Sequence, residues 1–337
     1  MNKKVKIAID AMGGENSPSK VIEGINISLK SNKDNYFYLY GKENEIKKEL
    51  NNYKLVKSHS EIVNINDVIT DNESPLTAAK KGKDSSMWKA IESLKDKKTD
   101  ISLSAGNTGA LLIISRLLLN TIKGIDRPAL AALWPNSKNM SVVLDLGANI
   151  ECNEKNLIDF SSMGAALYKS LFLSNPKIAL LNVGLEEHKG NEVLKNTFSL
   201  LKKNKLNNFE FCGYIEGNQI MKGDIDVIIT DGFTGNIALK TAEGTANFIA
   251  SNFRNSLNKI SLLMSYWSLR KLKKKLDPRK FNGAIFLGLQ SPVVKSHGST
   301  DAIGFAHSID VCNKIVKANL IEKIKSHLIN LDAEASE

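Results

Sequence analysis

The sequence predicts an α/β protein: a doubly wound, mostly parallel sheet with helices on both faces, a Rossmann-like three-layer sandwich. Three observations lead there. A short apolar run, a small polar loop bearing glycine and a helix-like stretch recur together five times along the 337 residues. Alternation of this kind implies βαβ units. The run VIIT at Val227 is β-branched and nearly uninterrupted, as strands buried on both faces are. Hydrophobic residues make up 42% and charged residues 24%, which suits a globular chain with a real core.

The five units follow in order. IAIDAMGGENSP spans Ile7 to Pro18 and ISLSAGNTGALL spans Ile101 to Leu112. VVLDLGANIEC begins at Val142, ALLNVGLEEHKGNE at Ala179 and VIITDGFTGNIALK at Val227. Between them, Pro75 to Leu94 and Asn156 to Leu173 place apolar residues at helical spacing, and Thr241 to Leu257 reads as helical too. FNGAIFLGLQSPVVKSHGSTDA, from Phe281, is a pair of strand-like runs with glycine turns, and a helix-like segment covers Asp310 to Leu331. Right-handed crossovers are expected to bring all the strand C-termini to one edge, the edge where open α/β sheets bind ligands. No tandem repeat or low-complexity linker divides the chain, so residues 1–337 read as a single domain.

Several classes are excluded or disfavoured. No apolar run approaches the ~20 residues of a membrane-spanning helix. MNKKVKIAID is a first strand rather than a secretion signal. Cys152, Cys212 and Cys312 are odd in number and widely spaced, which suggests no disulfide framework and fits a reducing cytoplasm. The chain has no P-loop, no GxGxxG, no GxSxG elbow and no HExxH, and its five histidines form no metal motif, so no metal or cofactor is expected.

The loops that remain suit anions. SAGNTG offers Ser104, Asn107 and Thr108 as donors, with Gly106 and Gly109 letting backbone approach a ligand just before a helix. A helix N-terminus presents free N–H groups and partial positive charge, which favours phosphate. TDGFTGN repeats the construction with Thr234, Gly235 and Asn236. Either loop alone equally reads as a tight turn with an N-cap; two such loops ending two strands favour a shared site. VGLEEHKGN crowds Glu186, Glu187, His188 and Lys189 between glycines, and Lys189 could meet phosphate or a developing oxyanion, though solvated surface charge is the plainer reading. His297, in KSHGST, could exchange a proton or simply sit in a glycine turn.

IAIDAMGG, SAGNTGALL, RPALA, LDLGAN, EEHKGN, TDGFTGNIALK and KSHGSTDA occur together and in order. As a set they resemble the fatty acyl-phosphate synthase family, the phosphate acyltransferases of bacterial phospholipid synthesis, from about Lys6 to Asn313. Glu15 and Glu151 stand where that family often has aspartate, and both keep the carboxylate. The position of His188 varies in the family, which argues against a catalytic base there. The resemblance implies transfer of an acyl group from acyl carrier protein to inorganic phosphate. It also implies a homodimer, and a fold related to phosphotransacetylases and isopropylmalate dehydrogenase-type enzymes. Phosphate is already a nucleophile, so the site must orient it and stabilise a tetrahedral oxyanion. In this reading the SAGNTG backbone with Asn107 and Thr108 holds phosphate, Lys189 offsets charge, and Asn236 donates to the thioester oxygen.

The formal net charge of +10 is local. Residues 254–280 hold nine Lys or Arg and one Asp; the rest of the chain holds 37 basic and 35 acidic residues. Tyr266 and Trp267, with Arg270, Lys271, Lys273 and Lys274, read as an amphipathic surface for the inner face of the cell membrane or for the acidic carrier protein. A cytoplasmic, peripherally attached enzyme would place its lipid-bound product near a downstream glycerol-phosphate acyltransferase. Nucleic acid is not an expected partner. Two rival functions stay open at this point. One is a nicotinamide-dependent dehydrogenase of related fold. The other is a non-catalytic basic adaptor, which leaves five glycine loops without a use.

Overall fold

In the computed structural model, which describes residues 4–203, 208–256, 279 and 282–334, one eleven-stranded sheet forms the middle layer. Its strands are β1 (Val5–Asp10), β2 (Asn35–Gly41), β3 (Ser60–Asn64), β4 (Ile101–Ser104), β5 (Ala129–Pro135), β6 (Met140–Leu144), β7 (Lys177–Leu181), β8 (Glu210–Ile215), β9 (Val227–Ile229), β10 (Ala284–Leu287) and β11 (Val293–Lys295). They lie in the order β3-β2-β1-β4-β11-β10-β5-β6-β9-β7-β8. Seven of the ten pairings are parallel, in line with the expected sheet. The interior strands β4 and β9 are buried at every residue; β9 therefore reads as an unbroken apolar run, while β4 alternates Ile101 and Leu103 with the buried Ser102 and Ser104.

Helices cover both faces. On one, α1 (Ser19–Ser31), α7 (Glu154–Phe172), α10 (Ala302–Lys317) and α11 (Leu320–Glu334) bury Ile22, Ile25, Phe160, Met163, Phe305 and Ile309 in the larger core. On the other, α5 (Ser86–Lys95) and α6 (Thr108–Leu119) bury Met87, Trp88, Ile91, Leu111 and Ile114. Against that second core lie Ala238, Leu239 and Ala242 of the long helix α9 (Gly232–Ser256). Two expected helices are broken. Pro75 to Leu94 forms a first helix of about two turns, Pro75–Lys81, and then α5, because Gly82 ends the first and Ser85 caps the second by accepting from the Trp88 amide at 3.2 Å. The C-terminal segment divides at Asn319, whose φ of +52° cannot continue a helix.

The expectation that all strands end at one edge is overturned. Three antiparallel pairings, β11–β10, β10–β5 and β5–β6, sit in the centre of the sheet. Each reverses direction, and an odd number of reversals leaves β6, β7, β8 and β9 antiparallel to β1, β2, β3, β4 and β11. We term the edge where β1, β4 and β11 end the upper edge; β6, β7 and β9 end at the lower one. Handedness fixes crossovers within each half and says nothing about the relation between halves.

Helix α9 crosses between the edges. It starts at the lower edge, where the Gly232 amide donates to the Asn149 carbonyl at 2.7 Å. A helix rises about 1.5 Å per residue, so Lys240 stands about 12 Å above Gly232. That matches the breadth of a four-residue strand at about 3.3 Å per residue. Asn236, Lys240 and Glu243 fall on one side of α9 by their spacing.

Candidate active site

Three loops meet at the upper edge. Asp10, which closes β1, accepts from the hydroxyls of Ser86 and Ser104, each at 2.7 Å, and from the Met12 amide at 3.3 Å. Ser104, which closes β4, accepts in turn from the Gly106 amide at 3.0 Å. Burial pushes the Asp10 carboxyl above its ordinary range, and the two hydroxyls pull the other way. At Gly13 a side chain would lie 2.6 Å from the Gly106 nitrogen, so the first two loops touch backbone to backbone. Gly14 has φ +77°, and a methyl there would stand 2.7 Å from the Gly298 carbonyl and 2.9 Å from that of Ala105. Only glycine fits where the three loops converge.

Two lysines reach the same point. Lys20, on α1, is 5% exposed, and its ammonium donates to the Gly298 carbonyl at 2.5 Å. Lys295, which closes β11, is 9% exposed and donates to the carbonyls of Ala105, at 3.2 Å, and Ser296. Neither has a carboxylate within 4 Å among the described residues. Burial lowers the proton affinity of both, and for Lys295 it falls to about 8. Asp71 and Asp10 oppose that fall; Lys20 and Lys240 add to it. Beside them His297 is also lowered, first by burial. Its Nδ1 lies 3.4 Å from the Ser299 amide, which can only donate, so the neutral ring carries its proton on Nε2. The charges of Lys240 and Glu243, themselves ion-paired at 2.8 Å, act on His297, which places the middle of α9 across from these loops.

The lower edge is built around Asp145, which follows β6. Its carboxylate accepts from the amides of Leu130 (2.9 Å), Ala148 (3.0 Å) and Asn149 (2.7 Å) and from the Asn149 side chain (2.8 Å). RPALA and LDLGAN are thus two halves of one hydrogen-bonded lock. Gly235 packs its Cα against the Asp145 carbonyl with no room for a methyl. Asp231 caps α9 by accepting from the Thr234 amide at 2.8 Å and hydroxyl at 2.9 Å. Asn236 is exposed and lies over Gly147, and its side chain makes no hydrogen bond among the described residues.

The residues singled out in the sequence are therefore distributed. Ser104, Gly106, Asn107, Thr108 and Gly109 are at the upper edge, and His297 is beside them. The side chains of Ser104 and Asn107 are already engaged: Asn107 caps α6 at the Ala110 amide (3.0 Å) and pins the carbonyls of Asp71 (3.1 Å) and Glu73 (3.0 Å). The Thr108 hydroxyl stays exposed. Thr234 and Gly235 start α9 from the lower edge. Lys189 lies beyond β7 on that lower edge; its side chain is 44% exposed, 3.8 Å from Glu186, with its carbonyl held by Asn182 at 3.1 Å. It does not join the upper loops within one protomer. Tyr266, Trp267, Arg270, Lys271, Lys273 and Lys274 lie outside the described residues. Sequence reasoning missed Asp10, Lys20, Lys240 and Lys295. Asp10 and Lys295 had a signal, since each ends a strand inside a motif; Lys20 looks like any helical lysine.

Comparison with known proteins agrees with this picture. The model of a family described as fatty acid synthesis protein matches residues 5–323. A protein of Pelagibacter ubique named phosphate acyltransferase is 57% identical, over 97% of this chain and 100% of its own length. One of Afipia carboxidovorans with the same name is 45% identical, over 96% of this chain and 94% of its own. Among solved structures, a phosphotransacetylase from Streptococcus pyogenes superposes with a TM-score of 0.62 at 16% identity, covering 96% of this chain and 95% of that one. The EutD phosphotransacetylase from Staphylococcus aureus gives 0.58 at 15% identity, covering 94% of each. At these identities the two structures speak for the fold alone.

Proposed function

The chain belongs to the fatty acid synthesis protein family, and from that membership we propose that it is a phosphate acyltransferase. It moves a fatty acyl group from the thioester of acyl carrier protein to inorganic phosphate, releasing acyl phosphate and the free carrier thiol. The observation that carries the reading is the meeting of three glycine loops at the N-terminus of α6, with Asn236 exposed and unpaired on the helix that crosses in front of them.

In the reaction a phosphate oxygen adds to the thioester carbon and the carbonyl electron pair moves onto its oxygen. Collapse of that oxyanion breaks the C–S bond. The thiolate leaves and takes up a proton. A thiol of pKa about 8.5 is a tolerable leaving group, so no covalent enzyme intermediate is required. The free amides at the start of α6 and the Thr108 hydroxyl receive phosphate. Asn236 donates to the carbonyl oxygen as charge gathers on it. The Nε2–H of His297 is the group offered to the departing sulfur. Asn107 and Thr234 act by shaping their loops, since their side chains are occupied.

The exposed Lys189 loop enters through a homodimer in this reading, its ammonium offsetting anionic charge in the partner's cleft. The basic stretch around Trp267 docks on the cytoplasmic face of the membrane, near a downstream glycerol-phosphate acyltransferase. No helix among the described residues is long and apolar enough to cross a membrane. Vesicle flotation of a Trp267→Ala, Lys273→Glu variant tests the docking, and unchanged binding rejects it. The acyl transfer itself is tested by release of free thiol from acyl-carrier protein with no nicotinamide added. Release must depend on inorganic phosphate; a phosphate-independent rate, or none, rejects the reading.

A further inference from the structure

Lys20 and Lys295 place two ammonium groups against three loop carbonyls, with no carboxylate within 4 Å among the described residues. An ammonium carries three N–H donors. Lys20 uses one, on Gly298, and Lys295 uses two, on Ala105 and Ser296. Two donors remain on Lys20 and one on Lys295.

Pinning three carbonyls is a poor reason for burying two like charges. Desolvating an ammonium is unfavourable unless it is paired, and neighbouring cations make it worse. Nearby carboxylates do not neutralise the pair: Asp10 spends both oxygens on Ser86, Ser104 and Met12, while Asp71 and Glu15 act only through space. The arrangement becomes favourable when an anion shares the spare donors. A side chain at Gly14 would stand 2.8 Å from the Lys20 ammonium, so glycine leaves that nitrogen uncovered on this side. The α6 N-terminus, at Thr108 and Gly109, adds backbone N–H groups on the same side.

We propose that Lys20 and Lys295 together form a receptor for the inorganic phosphate dianion, seating it by charge while the glycine loops fix its orientation. The substrate identity rests on the acyl-transfer reading above; the receptor does not.

The test uses the full-length enzyme and inorganic phosphate as the probe. Lys295→Met, Lys295→Gln and Lys20→Met are compared with wild type for phosphate KM in thiol release, KM for acyl carrier protein, and the rise in melting temperature caused by phosphate. Each variant is first checked by circular dichroism, and the two other substitutions carry the test if one fails to fold. A charge-assisted hydrogen bond is worth about ten- to a hundredfold in binding, so phosphate KM should rise about that much. Phosphate should no longer raise the melting temperature, and the carrier-protein KM should move less than about threefold. Folded variants with wild-type phosphate KM and wild-type stabilisation would overturn the receptor. Stabilisation by phosphate that the variants lose, in a wild type that releases no thiol, would uphold the receptor and sink the acyl transfer.

Discussion

Raising the pH should weaken phosphate binding through Lys295, by an amount that follows from its surroundings. Burial holds its proton affinity down to about 8, against an ordinary value of 10.5. The groups facing it are Asp10 and Asp71, which favour its charge, and Lys20 and Lys240, which oppose it. If the phosphate dianion binds only the charged form, the apparent affinity for the dianion at pH 8.5 is about fourfold below that at pH 7, and it falls about tenfold per unit beyond. About three-quarters of the sites are deprotonated at pH 8.5, so binding should draw in about 0.7 proton per site. Lys20 is lowered too, and its titration would steepen the fall. The sign reverses for the anion-free fold. The unfolded chain holds this proton more tightly, so between pH 8 and 10.5 the native state gains stability from Lys295, by about 3 kcal/mol in the limit. Calorimetric titration of phosphate at pH 8.5 in two buffers of different ionisation enthalpy counts the protons directly. Wild type should take them up and Lys295→Met should not. Zero uptake by wild type, or equal uptake by both, refutes the assignment.

Other expectations follow from single contacts. Asn236→Ala, at an exposed position free of structural hydrogen bonds, should fold normally and lose about 100-fold or more in turnover, the scale of one oxyanion donor; near-normal acyl phosphate output would remove that role. Gly235→Ala must push α9 off the Asp145 carbonyl, with a loss of stability of about 1–3 kcal/mol in urea titration and a lower turnover; an unchanged midpoint contradicts the contact. Asp145→Ala strips the acceptor from four N–H donors and should destabilise by about 3–5 kcal/mol, while leaving phosphate KM in any folded fraction near wild type, because this lock belongs to the lower edge.

The five strand-loop-helix units were legible because each strand is mostly apolar and each loop carries glycine. The direction of half the sheet was not. It depends on three antiparallel pairings among β5, β6, β10 and β11, one of which joins residues as far apart as Ala129 and Leu287. No local pattern around Ala129 or Ile285 records them. The same reversal explains why SAGNTG and TDGFTGN, alike in construction, start from opposite edges. Asn107 was readable as a polar group at a helix start. That its amide is spent on Ala110, Asp71 and Glu73 needed the loop before Pro75 in place. Lys20 was the hardest to see: a lysine in SKVIEG takes its meaning from Gly298, 278 residues away.

The uninterrupted sheet has a mechanical consequence. Many two-lobed enzymes swing one lobe over a substrate about a flexible strap. Here β11, β10, β5 and β6 stitch the halves together by backbone hydrogen bonds, so such a swing would tear or shear the ladder. The gap between the loops and α9 therefore has a set width, closer to a calliper locked at one opening than to a jaw. A substrate that needs a wider gap gains entry by moving side chains and loop backbone, while the frame stays still.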